Sequence, residues 1–162
     1  MQFDALIIGG GAAGMSCALV LGSAKDKPFA SAKKVGIISH QKTSHLKTAL
    51  FNNVLGLPSG TLGADVLTQG KKQLAENYSD ISQIEHEKVI SISEHTGFYS
   101  IKTTKNKYKT TIVVLALNYA KPFLIKGLEN YIEPHQRAKA VKDRIQLKND
   151  GYLVTKGFYV CG

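Results

Sequence analysis

The densest chemical signal is a run of six residues near the start of the chain, Gly9-Gly10-Gly11-Ala12-Ala13-Gly14. It matches G-x-G-x-x-G, a pattern with physical meaning only between a strand and a helix. In that setting Gly9 permits a tight turn. Gly11 removes a side chain, so the backbone can approach a pyrophosphate. Gly14 lets helix and strand pack closely. The free N–H groups and the positive end of the helix dipole then face the anion. Outside that setting the same residues are a glycine-rich turn with no ligand.

The flanking residues supply the setting. Ala5-Leu6-Ile7-Ile8 is a short apolar run without alternation, as expected of a strand buried on both faces. Beyond the glycines, Gly14, Cys17, Ala18 and Leu21 fall on one face of a helix, which Gly22 is expected to stop. Val35-Gly36-Ile37-Ile38 reads as a second buried strand and completes a right-handed βαβ unit. An acid at the end of that strand would bind ribose hydroxyls, but the place holds Ser39-His40-Gln41. Ser39 and Gln41 could hydrogen-bond a ribose without charge assistance, and His40 reads equally well as a surface residue. The motif does not choose between FAD and NAD.

The remaining elements follow from punctuation and period. His40 to Gly60 lacks a clean period and reads as a long irregular loop, a kind usually tied to function. Thr61 is a candidate cap for a helix with the stripe Leu67, Gly70, Leu74 and Tyr78, and Asp65 in its first turn suits the dipole. Ile81 to Ile84 is a third short strand. From Val89 to Thr110 the period changes to two, with turns at Glu94-His95-Thr96-Gly97 and around Lys105-Asn106, which predicts a small antiparallel meander. Ile112 to Leu115 is a separate strand of the buried type. Lys121 to Lys148 is polar and weakly patterned. Tyr152 to Val154 and Phe158 to Val160 read as closing strands.

Composition narrows the function classes. The 162 residues are 43% apolar and 20% charged, which excludes wholesale disorder and allows a core without staples. The net charge is +9, but all but two of the 21 basic residues are lysine, scattered apart from Lys25 to Lys34 and Lys102 to Lys109. Planar recognition of phosphates and bases favours arginine, so a solvated surface is expected and nucleic-acid binding is not. Ala5 to Gly22 carries no charge, yet Asp4 precedes it and glycines interrupt it, so neither a signal peptide nor a membrane span is expected. The cytoplasm is the expected compartment. Cys17 and Cys161 exclude a disulfide scaffold, and the lack of C-x-x-C excludes the usual dithiol pair. The two read as buried small hydrophobes rather than as a redox pair. The five histidines are dispersed and predict no metal site.

From Phe3 to Gly14, with the small-residue helix after it, the chain resembles the FAD/NAD-linked disulfide oxidoreductases. Its closest similarity is to the FAD domain of thioredoxin-reductase-like flavoproteins. Asn53-Val54-Leu55-Gly56-Leu57-Pro58-Ser59-Gly60 resembles that family's loop before the second helix, and Gly151 to Gly162 resembles its final strands. Ala116-Leu117-Asn118 stands where the family has Ala-Thr-Gly, and Asn is the residue after Gly that best accepts positive φ. The resemblance implies one FAD-binding domain over residues 1–162. Its fold would be α/β, Rossmann-like and three-layered, with a central parallel sheet and a small antiparallel β-meander. It also implies cofactor contacts at Gly9, Gly11, Ala12, Ala13 and Gly14, and at Ser39, His40 and Gln41. Asn53 would sit near the flavin with Thr48 and Ala49 lining its approach. Val89, Ala116, Leu117, Asn118 and Gly162 would complete the set.

The family carries a nicotinamide domain of about 100 residues between that strand and the final strands. Here about 25 residues separate Asn118 from Arg144, with no second glycine loop, so 119–144 is expected to be a short connection. The sequence given stops at Cys161-Gly162, before the Asp that the family places next. The resulting expectation is an FAD-binding oxidoreductase module that cannot use NAD(P)H through a second domain of its own. Electrons would come from an external donor, a redox partner protein or a second copy. The alternatives are NAD(P) as the dinucleotide, and a non-catalytic dinucleotide-binding or interaction module.

Overall fold

The computed structural model describes residues 1–40, 45–117, 124–133, 147 and 149–161. Its first strand, β1 (Gln2–Ile8), runs into the glycine loop, and helix α1 (Ala12–Ser23) follows directly. Strand β2 (Val35–Ser39) then pairs parallel with β1, Ala5 opposite Val35 and Ile8 opposite Ile38. This is the βαβ unit read from the sequence. Its strands are apolar on both faces because both faces are covered.

After β2 come a 3₁₀ turn (His45–Thr48), the strands β3 (Leu50–Phe51) and β4 (Thr61–Leu62), and helix α2 (Gly63–Asn77). The segment read as an irregular loop, His40 to Gly60, therefore contains the 3₁₀ turn and β3, which pairs antiparallel with β4 just beyond it, Leu50 opposite Leu62. Thr61 does not cap α2: it lies in β4, its hydroxyl donates to Pro58 O, and Leu62 precedes the helix without a side-chain cap. Strand β5 (Ser82–Glu85) lies parallel to β2 at the edge of the sheet.

Strands β6 (Val89–His95), β7 (Phe98–Thr103) and β8 (Lys107–Leu115) form the expected meander, with one difference. The pieces read as separate strands are one strand. The beginning of β8 pairs with β7, Tyr99 opposite Thr110, and β8 pairs parallel with β1 along its length. Thr110 breaks the apolar run in sequence, but it is buried with its hydroxyl donating to Ile112 O, so the strand continues through it. Strands β9 (Leu153–Thr155) and β10 (Phe158–Val160) form a hairpin whose second strand lies parallel to β8, Val160 opposite Leu115.

The sheet order is β5-β2-β1-β8-β10-β9, with β6 and β7 branching from the start of β8. The expected α/β fold, a parallel core with an antiparallel meander, is what forms. Alternate residues of β1 serve two cores. Ala5 and Ile7 pack with Met15 and Ala18 of α1 and Leu74 of α2. Leu6 and Ile8 pack with Ile92, Ile101 and Tyr108 of the meander. The stretch read as polar and weakly patterned contributes Ile125, Leu128, Ile132 and Leu147 to the meander core, all buried. Gly22 does not stop α1: it lies inside the helix, where a Cβ would come within 2.6 Å of the Tyr78 ring. No described helix is long and apolar enough to cross a membrane.

Candidate functional site

The glycine loop sits at the carboxyl end of β1. From β1 the chain steps outward to β2 and β5, then returns through β8 on the other side. In open α/β sheets, ligands bind where the strand order reverses in this way.

Backbone contacts shape the loop. Gly9 has φ +123°, and a Cβ there would lie 2.1 Å from Ala116 O. A Cβ at Gly10 would lie 2.4 Å from Ser39 Cβ, and one at Gly14 only 1.8 Å from Gly9 O. The N–H of Gly9 donates to Ile38 O at 3.0 Å. Side chains at 9, 10 and 14 are thus excluded by neighbouring backbone and by Ser39. The loop lies flat across the ends of β1, β2 and β8. The structure brings Gly9, Gly10, Gly14, Ser39, Ala116 and Leu117 together there.

The outer surface of the loop differs from its floor. Gly11 takes the N-cap position of α1 in an extended conformation, with no side-chain hydrogen bond, and no acid occupies the first turn. Ala12 is exposed, while Gly11 and Ala13 are half-exposed. The first N–H groups of a helix lack intrahelical partners, and the helix dipole adds positive potential there. Small residues, the first amides of a helix and no carboxylate in its first turn fit the pyrophosphate of a dinucleotide.

The other sequence-derived positions are distributed as follows. Ser39 is buried with its side chain against Gly10, and His40 beside it is exposed. Thr48 ends the 3₁₀ turn and Ala49 follows it, where Ala49 O accepts from Gly63 N at 2.8 Å and joins that segment to α2. Asn53 is exposed in the loop between β3 and β4. That loop is organised by its neighbour Asn52, whose Oδ1 accepts from Gly60 N at 3.0 Å and from the Ser59 hydroxyl. The Val89 side chain is buried in the meander core, leaving only its backbone for a ligand. Gln41, Asn118 and Gly162 lie outside the described residues.

Two features near the end of β2 escape the sequence reading. Glu85 on β5 is the register partner of Ser39 and forms an ion pair with Lys71. His86 has a left-handed backbone, φ 60°, and its N–H donates to Ser39 O at 3.1 Å. A carboxylate therefore stands one strand away from the position where a ribose-binding acid is expected. Only strand register reveals it, because residues 39 and 85 are far apart in sequence.

The two cysteines, read as buried small hydrophobes rather than a redox pair, are half-buried and interact with each other. Among the described residues, no group of three or more His, Cys, Asp or Glu side chains could hold a metal ion.

No protein-family model and no curated protein matches the chain. Solved structures do. Thioredoxin reductase from T. acidophilum is 26% identical with a TM-score of 0.58, over 72% of this chain and 36% of that one. A ferredoxin-flavin thioredoxin reductase from Clostridium acetobutylicum is also 26% identical, with a TM-score of 0.53, over 71% of this chain and 37% of that one. An oxidoreductase from Agrobacterium tumefaciens is 23% identical with a TM-score of 0.60, over 73% and 37%. The chain thus matches thioredoxin reductases in structure, and the match spans little more than a third of their length, one domain's share.

Proposed function

We propose that this domain binds FAD, with the pyrophosphate on the amides at the start of α1, and serves as the flavin-binding part of an oxidoreductase. The observation that carries this reading is the contrast within the glycine loop. Its floor is closed by Ala116 O, Ser39 and Gly9 O, while the start of α1 has half-exposed Gly11, exposed Ala12 and no side-chain cap. The structural match to thioredoxin reductases favours FAD over NAD(P), although the same amides would accept either diphosphate. Gly11, Ala12 and Ala13 would hold the phosphates. The end of β2 at Ser39 and His40 would meet the adenosine, and Thr48, Ala49 and Asn53 the flavin side. When bound, the flavin supplies the electron chemistry, and the protein contributes binding, orientation and electrostatics. Electrons would come from an external donor or a partner chain.

Calorimetric titration with FAD, NAD and ADP tests the reading. FAD should bind most tightly, because it alone engages both the adenosine side and the flavin side. Gly11→Val puts a branched side chain where the phosphates would lie, so FAD affinity should fall by a factor of about 100 or more, the equivalent of about 2.7 kcal/mol or more. The melting temperature without ligand should stay close to that of the unmutated chain. Unchanged FAD affinity in Gly11→Val would refute this placement. If FAD binds and dithionite reduces it, but no donor does so in turnover, the non-catalytic binding reading gains ground.

A further inference from the structure

We propose that Cys17 and Cys161 form a reversible intramolecular disulfide that ties the first helix to the last strand. The topology sets up the pair. Gly14 packs against Ala116, where a Cβ on Gly14 would lie 3.2 Å from Ala116 Cβ, and Cys17 stands one turn further along α1. Cys161 follows Val160, whose register partner is Leu115, and its N–H donates to Leu115 O at 3.0 Å. Both cysteines pack on the core beneath α1, and their thiols share a hydrogen bond. Each keeps partial exposure, so small reagents reach them. They are the two cysteines of the sequence, so no other intramolecular pairing exists within it.

The two thiols are not equivalent. The hydrogen bond with Cys17 brings Cys161 down to about 7. The same hydrogen bond, with burial, pushes Cys17 up. Cys161 is therefore the attacking thiolate at neutral pH, and Cys17 is the resolving thiol. With a small-molecule disulfide such as glutathione disulfide as oxidant, the Cys161 sulfur attacks one glutathione sulfur. The glutathione S–S bond breaks, one glutathione thiolate leaves, and a mixed disulfide remains on Cys161. The Cys17 sulfur then attacks the Cys161 sulfur and expels the second glutathione, while the Cys17 proton ends on a departing thiolate. Two electrons pass from the protein thiols to the oxidant.

The test uses the reduced chain treated with excess glutathione disulfide, alkylated after denaturation, and read by intact mass and peptide mapping. The expected product is a monomer two hydrogens lighter. It has no alkylatable thiol, contains a peptide linking Cys17 to Cys161, and is restored by dithiothreitol. Cys17→Ser should instead stop at a glutathione adduct on Cys161, because the resolving thiol is gone. Two thiols still alkylatable, stable glutathione on either cysteine of the unmutated chain, or a link between copies on a non-reducing gel would each overturn the proposal. None of these readouts depends on nucleotide binding, so the proposal stands or fails separately from the FAD reading.

Discussion

At the carboxyl ends of β1, β2 and β8, backbone packs on backbone; beneath the meander, side chains close on one another. In the first region Gly9, Gly10 and Gly14 let the loop lie within van der Waals reach of Ala116 and Ser39, and α1 begins at half-exposed Gly11 and exposed Ala12 with no side-chain cap. In the second region the buried Glu87 carboxylate accepts from the Thr103 and Tyr108 hydroxyls and from Asn106 Nδ2. Burial alone would raise the Glu87 carboxyl, but these donors and nearby Lys105 outweigh it and hold it below its usual value. One region holds a helix start without a side-chain cap, whereas the other pairs its buried carboxylate with three donors. That difference is expected between a surface awaiting an anion and a structural clasp, since an unmatched buried polar group is costly and an exposed amide is not.

Gly14→Ala drives a Cβ into Gly9 O, backbone against backbone, which cannot yield without moving the loop. Urea unfolding should show a loss of about 3–5 kcal/mol. A loss below about 1 kcal/mol would mean that the loop is not packed as described. Next in size is Glu87→Leu, which strands the donors of Thr103, Asn106 and Tyr108 and should cost about 2–4 kcal/mol.

The same carboxylate gives a pH signature. Its folded-state value lies below the unfolded one, so its contribution is full above the unfolded value of about 4.3 and is lost as pH falls through the folded value. Unfolding midpoints measured downward from pH of about 6 should fall more steeply for the unmutated chain than for Glu87→Gln, which cannot ionise. Parallel curves would show that Glu87 is not held ionised.

The smallest effects come from the helix layer. A Cβ on Gly22 meets the Tyr78 ring and Cβ, so Gly22→Ala should cost about 1–3 kcal/mol. A Cβ on Gly70 meets Met15 Cγ, the flexible part of an adaptable side chain. Gly70→Ala should be within about 1 kcal/mol of neutral, because the gain in helix propensity, also about 1 kcal/mol, offsets the repacking. Thermal melts of the two variants make the comparison directly.

Legibility in the sequence follows the same division. The parallel core could be read because β1 and β2 are apolar on both faces, and because the glycine pattern falls between a strand and a helix. The face of α1 was harder: Gly14, Met15, Ala18 and Gly22 are buried, whereas Cys17 and Leu21 are only half-buried. The helix is apolar nearly all round, so periodicity gives little direction. Thr110 and Thr111 concealed the continuity of β8: they interrupt the apolar run, and their hydroxyls are satisfied by Ile112 O and by Asp4 O. Ile125, Leu128, Ile132 and Leu147 are isolated apolar residues in polar sequence, and only the tertiary fold shows what they cover. Asn52 and Asn53 are adjacent and chemically alike, so the sequence could not say which one ties the loop. Contacts such as Ser39 with Glu85, or Cys17 with Cys161, depend on strand order and leave no local trace.

Amide chemical-shift mapping of the isotope-labelled chain during FAD titration tests the central claim most directly. The largest saturable shifts should fall on Gly10, Gly11, Ala12 and Ala13, with smaller ones at Ser39 and His40 and little change around Glu87. Saturable FAD binding that leaves those four amides unmoved, or no saturable binding at all, would contradict it.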